Sequence, residues 1–415
     1  MKKITELKQD WKWMKLGEAC SFVGGGTPSK KINSYWNGSI FWASVKDIKG
    51  DFLNSTEDTI TEYGLENSAS NIAEPNDVIL ITRISPGKCI ITNVRTAINQ
   101  DLKIVKPKFE TTSKFISYYF KSIERKLINN SSGTTVLGIT LKSLNDITIP
   151  VLDIQIQNVI VSKIEELFSE LDKGIENLRT AQQQLKTYRQ SVLKWAFEGK
   201  LTNENVKEGV LLKGWKEVSI KDVTEMNPKI PNREDIDRQM EVQFLPMKLV
   251  EEINNKIHLT EIRKYEDVLK GSYTPFINGD VIFAKVTPCM ENGKIAIVNS
   301  LKNGIGFGSS EFHVIRAAGK IIPEFIFYYL VQDRFRNEAA NEMTGAVGLR
   351  RVPKQFIENH DIPLPSVEEQ SKIVQEIESR LSVADKMEES ITQSLQQAEA
   401  LRQSILKKAF EGRLL

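Results

Sequence analysis

Three histidines, three cysteines and one glycine-rich loop are the places where this sequence could hold chemistry, and each lacks the spacing that chemistry needs. His258, His313 and His360 never fall two to a helix face or beside a cysteine, as zinc ligands do, so they read as surface or core residues. Cys20, Cys89 and Cys289 are scattered, odd in number and outside CxxC spacing, which suits a reducing compartment and argues against a disulfide framework or a metal site. Gly24-Gly25-Gly26-Thr27-Pro28-Ser29-Lys30 looks like a phosphate loop, yet it lacks the GxxxxGK[ST] spacing and Pro28 interrupts a helix start; it reads as a structural turn. Asn227-Pro228-Lys229 lacks the aromatic that holds a flipped base in adenine methyltransferases. Neither a catalytic constellation nor a cofactor or metal site is expected.

What remains are polar, basic loops that recur at matching places in the two halves of the chain. The first holds Thr27, Ser29, Lys30 and Lys31, followed by Tyr35 and Trp36. The second runs from Arg83 to Lys88 and is matched by Lys285 to Lys294, with Thr287 and Asn292. The third is Asn99-Gln100-Asp101, matched by Ser309-Ser310-Glu311; the fourth is Lys142, matched by Arg350-Arg351. Lys and Arg beside Asn, Gln, Ser and Thr are the side chains that contact phosphates and base edges. One such loop alone is ordinary solvated surface, and the recurrence favours a binding role. Net charge is only +2, so any basic face is local and compensated elsewhere.

These loops need elements to hold them, and the sequence supplies each element twice. Gln190-Ser-Val-Leu-Lys-Trp-Ala-Phe-Glu-Gly-Lys-Leu201 returns as Gln403-Ser-Ile-Leu-Lys-Lys-Ala-Phe-Glu-Gly-Arg-Leu414, about half the chain later. Each copy closes a helical segment, with Gly199 and Gly412 where a C-cap wants a residue tolerant of positive φ. The spacing is too long for a solenoid unit, so one module is used twice. Residues 13–150 are strand-like, with apolar runs at 40–45 and 78–81 bounded by turn residues and a helical stretch at 114–120. Residues 215–365 repeat that outline, from Trp215-Lys216 against Trp11-Lys12 to Ile362-Pro363 against Ile149-Pro150. The predicted fold class is α+β: mixed modules at 1–150 and 201–364, with long helical regions at 151–200 and 365–415. Residues 1–12 read as a loose tail or first strand edge. Nothing in the sequence reads as a signal peptide or membrane span.

Asp153 suits the N-cap of the first long helix, and Ser366-x-x-Glu369 forms a capping-box pattern for the second. Ile164, Leu171, Leu178, Leu185 and Val192 recur every seventh residue, with Leu167, Gly174, Ala181, Tyr188 and Trp195 at the intervening d-like positions. The second seam is Ile377, Ala384, Ile391, Ala398 and Ile405. Sustained heptads predict a coiled coil. The two seams set Leu171 and Leu185 against alanines, as close packing of paired helices requires. Connectivity then makes the pair antiparallel, with a module at each end and a pseudo-two-fold between them.

Gly25-Gly26-Thr27-Pro28-Ser29 with Tyr35-Trp36-Asn37-Gly38 and Trp42, Thr287-Pro288-Cys289-Met290-Glu291-Asn292-Gly293-Lys294, Gly308-Ser309-Ser310-Glu311-Phe312, Ile362-Pro363-Leu364-Pro365 with Glu369-Gln370, and the doubled Ala-Phe-Glu-Gly ending occur in an order that resembles the specificity subunits of Type I restriction–modification enzymes. The resemblance covers nearly the whole chain. It departs at Asp153-Ile154-Gln155-Ile156-Gln157, where the second helix has its acidic Glu368-Glu369-Gln370 turn. It implies a cytoplasmic, non-catalytic protein whose modules each read half of a split site on double-stranded DNA. It implies two helical regions that set the gap and dock two adenine-methyltransferase subunits, with restriction subunits joining for ATP-driven cleavage. Because the modules differ in loop sequence, the site should be asymmetric. The other reading is a coiled-coil scaffold presenting two protein- or ligand-binding modules, which predicts no salt-dependent DNA affinity.

Overall fold

A computed structural model describes residues 11–133, 136–203, 206, 210–346 and 348–414; most of the tail expected at 1–12 lies outside them. The chain divides into two units, Met1–Arg179 with Thr392–Leu415, and Thr180–Ile391.

In the first unit, Lys12–Lys15 pairs antiparallel with Thr148–Val151, closing the module's start on its end. A five-stranded sheet runs in the order Cys20–Gly24, Leu102–Pro107, Val78–Ile81, Cys89–Thr92, Phe52–Leu53. A four-stranded sheet runs Asp58–Ile60, Trp36–Ala43, Thr96–Ile98, Asn71–Ala73. Val78–Ile81 and Cys89–Thr92 are buried throughout, which explains runs without alternation. The run at 40–45 is strand only to Ala43; Ser44 and Asp47 then close a capping box on a short helical turn. The helix expected at 114–120 spans Ser113–Ser122, with the Thr112 hydroxyl accepting from the Phe115 N–H.

The second unit repeats this plan. Lys216–Ser219 pairs antiparallel with Asp361–Leu364. One sheet runs Thr224–Met226, Phe312–Ala317, Val281–Ala284, Ile295–Ile297, and the other Glu261–Lys264, Glu241–Leu245, Ile305–Gly308, Thr274–Ile277. A carboxylate opens the equivalent central strand in each module and holds a cation from its neighbour: Asp77 with Lys106 at 2.5 Å, Asp280 with Arg316 at 2.7 Å.

The two long helices are Ile154–Phe197 and Val367–Phe410, 44 residues each and so about 65 Å long. Asp153 caps the first, its carboxylate accepting from the Gln155 N–H at 2.8 Å. Ser366 accepts from the Glu369 N–H at 3.3 Å, but the expected capping box is only half made: Glu369 turns its carboxylate to Thr202 and Asn203. Beneath each start lies a fully buried glutamine. Gln157 donates to the Glu110 and Leu152 carbonyls and accepts from Thr111; Gln370 donates to the Lys320 and Pro365 carbonyls and accepts from the Ile322 N–H. A buried amide is tolerable only when satisfied in this way. The departure at Asp153–Gln157 thus keeps the one side chain that pins the helix.

The doubled Ala-Phe-Glu-Gly ending is a plug. Phe410 sits 5.2 Å from the Phe115 ring and 5.4 Å from Tyr119 in the first unit. Phe197 sits 4.8 Å from Phe325 and 5.1 Å from Tyr329 in the second. Gly199 and Gly412 end the helices at φ 75° and 67°. Each module's core therefore includes the start of one long helix and the end of the other. Ile160, Ile164 and Phe168 join Ile405, Leu406 and Ala409 in the first; Ile373 and Ile377 join Val192 and Ala196 in the second.

Within each unit the helix segments run antiparallel. In the first, Ile164 lies in the core that holds Ala409, and further along Asp172 pairs with Arg402, whose guanidinium covers the Phe168 ring at 4.6 Å. In the second, Arg189 reaches Asp385 at 2.6 Å and Glu388 at 2.9 Å, while Val192 packs in the core with Ile377. The seam is buried at Ile164, Val192, Ile377, Ala384, Ala398 and Ile405, but only half-buried at Leu171, Leu178, Leu185 and Ile391. The d-like positions expected of Gly174 and Trp195 are exposed; Ile175 and Ala196 take the inward places. Among the described residues two helices alone line the seam's flanks, and open apolar grooves remain. One of about 570 Å³ is lined by Leu171, Ile175, Leu178, Ala398 and Leu401, and one of about 390 Å³ by Ala181, Leu185, Tyr188, Met387 and Ile391.

Among the described residues no helix is long and apolar enough to cross a membrane, and no cluster of ligating side chains could hold a metal ion. All three cysteines are free.

Candidate nucleic-acid interface

The second and third of the loops singled out by sequence meet, in each module, where strand Val78–Ile81 or Val281–Ala284 of the main sheet turns over. In the first module, strand Val78–Ile81 runs into Thr82-Arg83-Ile84. A short arm, of which Leu137 and Gly138 are the contacting residues, lies across that turn: Arg83 bridges Gly138, and the Ile84 N–H donates to the Leu137 carbonyl at 2.8 Å. Behind it the Thr82 N–H donates to the Asp101 carbonyl at 2.9 Å. In the second module Lys285-Val286-Thr287 takes the same course. Val286 bridges Arg351 in the matching arm, the Thr287 N–H donates to the Arg350 carbonyl at 3.1 Å, and the Lys285 N–H to the Glu311 carbonyl at 2.9 Å. The backbone frame thus equates Thr82 with Lys285, Arg83 with Val286, Ile84 with Thr287, Asp101 with Glu311 and Gly138 with Arg351.

Around Asp101 the first module gathers Thr27, Arg83, Asn99 and Gln100. Thr27 donates to the Gln100 side-chain carbonyl at 2.6 Å, and Asn99 to the Asp101 carboxylate at 3.1 Å. The Arg83 guanidinium lies 3.2 Å from that carboxylate. Ser29, Lys30, Lys31 and Lys88 are exposed near the loop ends, and Lys142 is exposed on helix Leu141–Asn145. Around Glu311 the second module gathers Arg351, whose Nε and Nη2 donate to the two carboxylate oxygens at 2.8 and 2.7 Å. Arg351 also holds Glu311 below the usual carboxylate range, against the opposing effect of partial burial. Arg350 stands 3.8 Å from Glu291, which accepts from Thr287 at 3.4 Å. Ser309 accepts from the Glu311 N–H, and Ser310 is exposed.

Several expected contact residues have other work. Tyr35 is buried, edge-on to Tyr63 at 5.3 Å, because its turn folds back on helix Glu62–Glu66. Asn99 is buried and shapes the turn, its side-chain oxygen accepting from the Asp101 N–H. Lys294 is half-buried and donates to the Val250 carbonyl at 2.9 Å, and Asn292 donates to Glu252. The matching of Lys142 with Arg350-Arg351 is out of step: Gly138, four residues earlier, stands where Arg351 does. The glycine cluster is structural, as expected, since a Cβ at Gly25 would lie 2.1 Å from the Ile98 carbonyl oxygen.

Two features escaped the sequence reading. Asp101 and Glu311 are the carboxylates on which the basic loops are hung; the signal was an acidic residue in both matched triplets. Ile84 is 54% exposed at φ 75°, a conformation in which a β-branched side chain is strained. His313 is buried, with Nε2 3.0 Å from the Val352 carbonyl, and burial pushes its pKa down. His258 is an exposed partner of Glu251, and His360 contacts Tyr329.

A family model described as the Type I restriction modification DNA specificity domain matches residues 8–179 and 212–399. The chain is 38% identical over 205 residues to the Type I restriction enzyme EcoAI specificity subunit of Escherichia coli, covering 49% of this chain and 34% of that protein. It is 26% identical over 320 residues to the EcoDI specificity subunit of the same organism, covering 73% and 70%. The matches to the EcoAI and EcoEI subunits span only about a third of those relatives' length (34% each). Among solved structures, a chain from work on complex assembly and conformational transition of the type I R-M system aligns over 97% of this chain and 98% of its own (TM-score 0.70, 18% identity). The HsdS subunit from Thermoanaerobacter tengcongensis aligns over 97% of each chain (TM-score 0.58, 18% identity). At such identities the structural matches speak for the fold alone.

Proposed function

Because the chain belongs to the family of Type I restriction modification DNA specificity domains, we propose that it is the non-catalytic sequence-reading subunit of a Type I restriction–modification complex. The module of residues 1–150 reads one half of an asymmetric split site on double-stranded DNA, and that of residues 201–364 reads the other. The helical regions 151–200 and 365–415 set the unread gap and dock the partner subunits in the cytoplasm. Those partners, two adenine-methyltransferase subunits and the restriction subunits, carry the cofactors and the chemistry. The family weighs against the reading as a scaffold for unrelated modules.

The observation that carries this reading is one backbone frame used twice with different polar side chains, exposed or half-buried, on and around it. Thr27, Ser29, Lys30, Lys31, Arg83, Lys88, Gln100 and Lys142 serve the first half-site. Lys285, Thr287, Ser309, Ser310, Arg350 and Arg351 serve the second. Exposed Lys and Arg set register on phosphates, and the shorter polar groups read base edges. The half-open apolar seam at Leu171, Leu178 and Leu185 supports docking along the helices, since an unfilled apolar groove is best covered by a partner.

Two half-sites are readable from one face of a duplex when they lie about one helical turn, near 10 base pairs, apart. A four-residue insertion in each long helix adds about 6 Å, near two base pairs. Methylation mapping in a host carrying the complex should show a longer gap between unchanged half-sites. Altered half-site bases would refute the reading.

A further inference from the structure

We propose that Arg351 and Arg83 are the guanine readers of the two half-sites, and that Glu311 and Asp101 are the residues that position them. The inference rests on the DNA-reading function above and assigns a base and a mechanism to it. A guanidinium has five N–H donors. In Arg351, Nε and one Nη2 donor go to Glu311, and one Nη1 donor goes to the Leu349 carbonyl at 3.3 Å. Two donors remain among the described contacts, one on each terminal nitrogen. That pair is what bidentate recognition of guanine O6 and N7 requires, whereas adenine offers an acceptor beside a donor. The carboxylate side chain is 26% exposed and the arginine side chain 45%, so the anchor sits low and the reading end faces out.

The first module makes the same arrangement from different residues. Its carboxylate, Asp101, occupies the position of Glu311, is 12% exposed, and lies under Arg83. Yet Arg83 comes from the strand turn, where the second module has Val286, and Arg351 comes from the arm, where the first has Gly138. The cation has changed its place in the chain, and the carboxylate that meets it has not. A chance surface ion pair contributes little and has no reason to recur at one register. A phosphate-binding arginine would gain nothing from a neighbouring carboxylate, which repels the phosphate. A base edge carries no net charge, and a side chain already held in place loses less freedom when it binds. Arg83 approaches Asp101 through one nitrogen at 3.2 Å, so its preference should be the looser of the two.

The test uses the full-length chain, purified with the subunits that accompany it, and a randomised duplex library whose bound fraction is sequenced. The wild type should enrich two short blocks, each with a guanine column. Glu311→Gln should lower the guanine preference in one block by about tenfold or more and leave the other block intact. Asp101→Asn should do the converse, with a smaller drop. The intact block reports that the variant is folded. If a Gln or Asn variant loses both blocks, Arg351→Lys, which keeps the charge and removes the fork, decides: loss of one guanine column supports the proposal, and an unchanged column overturns it. Unchanged blocks in Glu311→Gln and Arg351→Lys together also overturn it, leaving DNA reading itself untouched. A wild type that enriches no sequence sinks the DNA reading and this inference with it.

Discussion

At the turn over each main sheet the two modules share a backbone course and differ in their side chains. Thr82-Arg83-Ile84 and Lys285-Val286-Thr287 make the same turn under the same arm, and a carboxylate stands at the same register in both. Yet a glycine faces an arginine across the comparison (Gly138 and Arg351), and an arginine faces a valine (Arg83 and Val286). The frame is fixed by backbone hydrogen bonds, which no side-chain change removes. The groups mounted on it are exposed and cheap to exchange. A duplicated module of this kind diverges in what it touches without diverging in how it folds.

The largest expected effect tests what the modules share. Phe410→Ala and Phe197→Ala each empty an aromatic socket, at a cost of about 3–5 kcal/mol. Hydrogen exchange should quicken in helix Ser113–Ser122 for the first variant and in helix Pro323–Leu330 for the second. Equal effects on both helices in either variant would mean that the modules are not separately plugged.

A second prediction sharpens a difference. His313 sits where the first module has Lys103, and burial lowers its pKa from the ordinary 6.5. The unfolded chain then binds a proton that the folded module refuses. The second module is therefore fully stable above pH 6.5 and loses stability as pH falls below it. His360, lowered by burial in the same module, adds to this. Thermal melts from pH 8 to pH 5 should fall less steeply in His313→Gln than in the wild type; parallel curves would count against it.

The smallest effect concerns the turn itself. Ile84 holds a left-handed conformation that Asn adopts readily, and the residue is 54% exposed, so little burial is lost. Ile84→Asn should stabilise the first module by about 1 kcal/mol, read as a higher melting temperature. A lower one would show that the isoleucine is held by packing.

The repeat, the long-helix ends and the buried strand at 78–81 were legible in the sequence because apolar patterning and caps are local signals, whereas the order of strands in each sheet was not, since pairing joins residues far apart in the chain. Leu171 and Leu178 carried a heptad signal yet are half-open, since periodicity tells which face is apolar and not whether two helices suffice to cover it. Tyr35, Asn99 and Lys294 looked like surface readers because polarity does not reveal burial. Asp101 and Glu311 were in view in the matched triplets, but their arginines lie far off in sequence or in an unlike arm, so the pairing is visible only in space. The step between Lys142 and Arg351 arose because the two arms differ in sequence and only their bridges fix the alignment.

The plug at Phe410 bears on how the protein is born. The first module's strands are complete at Val151, but Ile405, Leu406, Ala409 and Phe410 belong to its core. Roughly 260 residues separate the two, so at synthesis rates of about 5–20 residues per second the nascent module waits on the order of 10 to 50 seconds with an open greasy cleft. During translation that cleft is the part of the molecule most exposed to chaperone capture, and to mispairing with the Phe197 segment, which emerges first and carries nearly the same sequence.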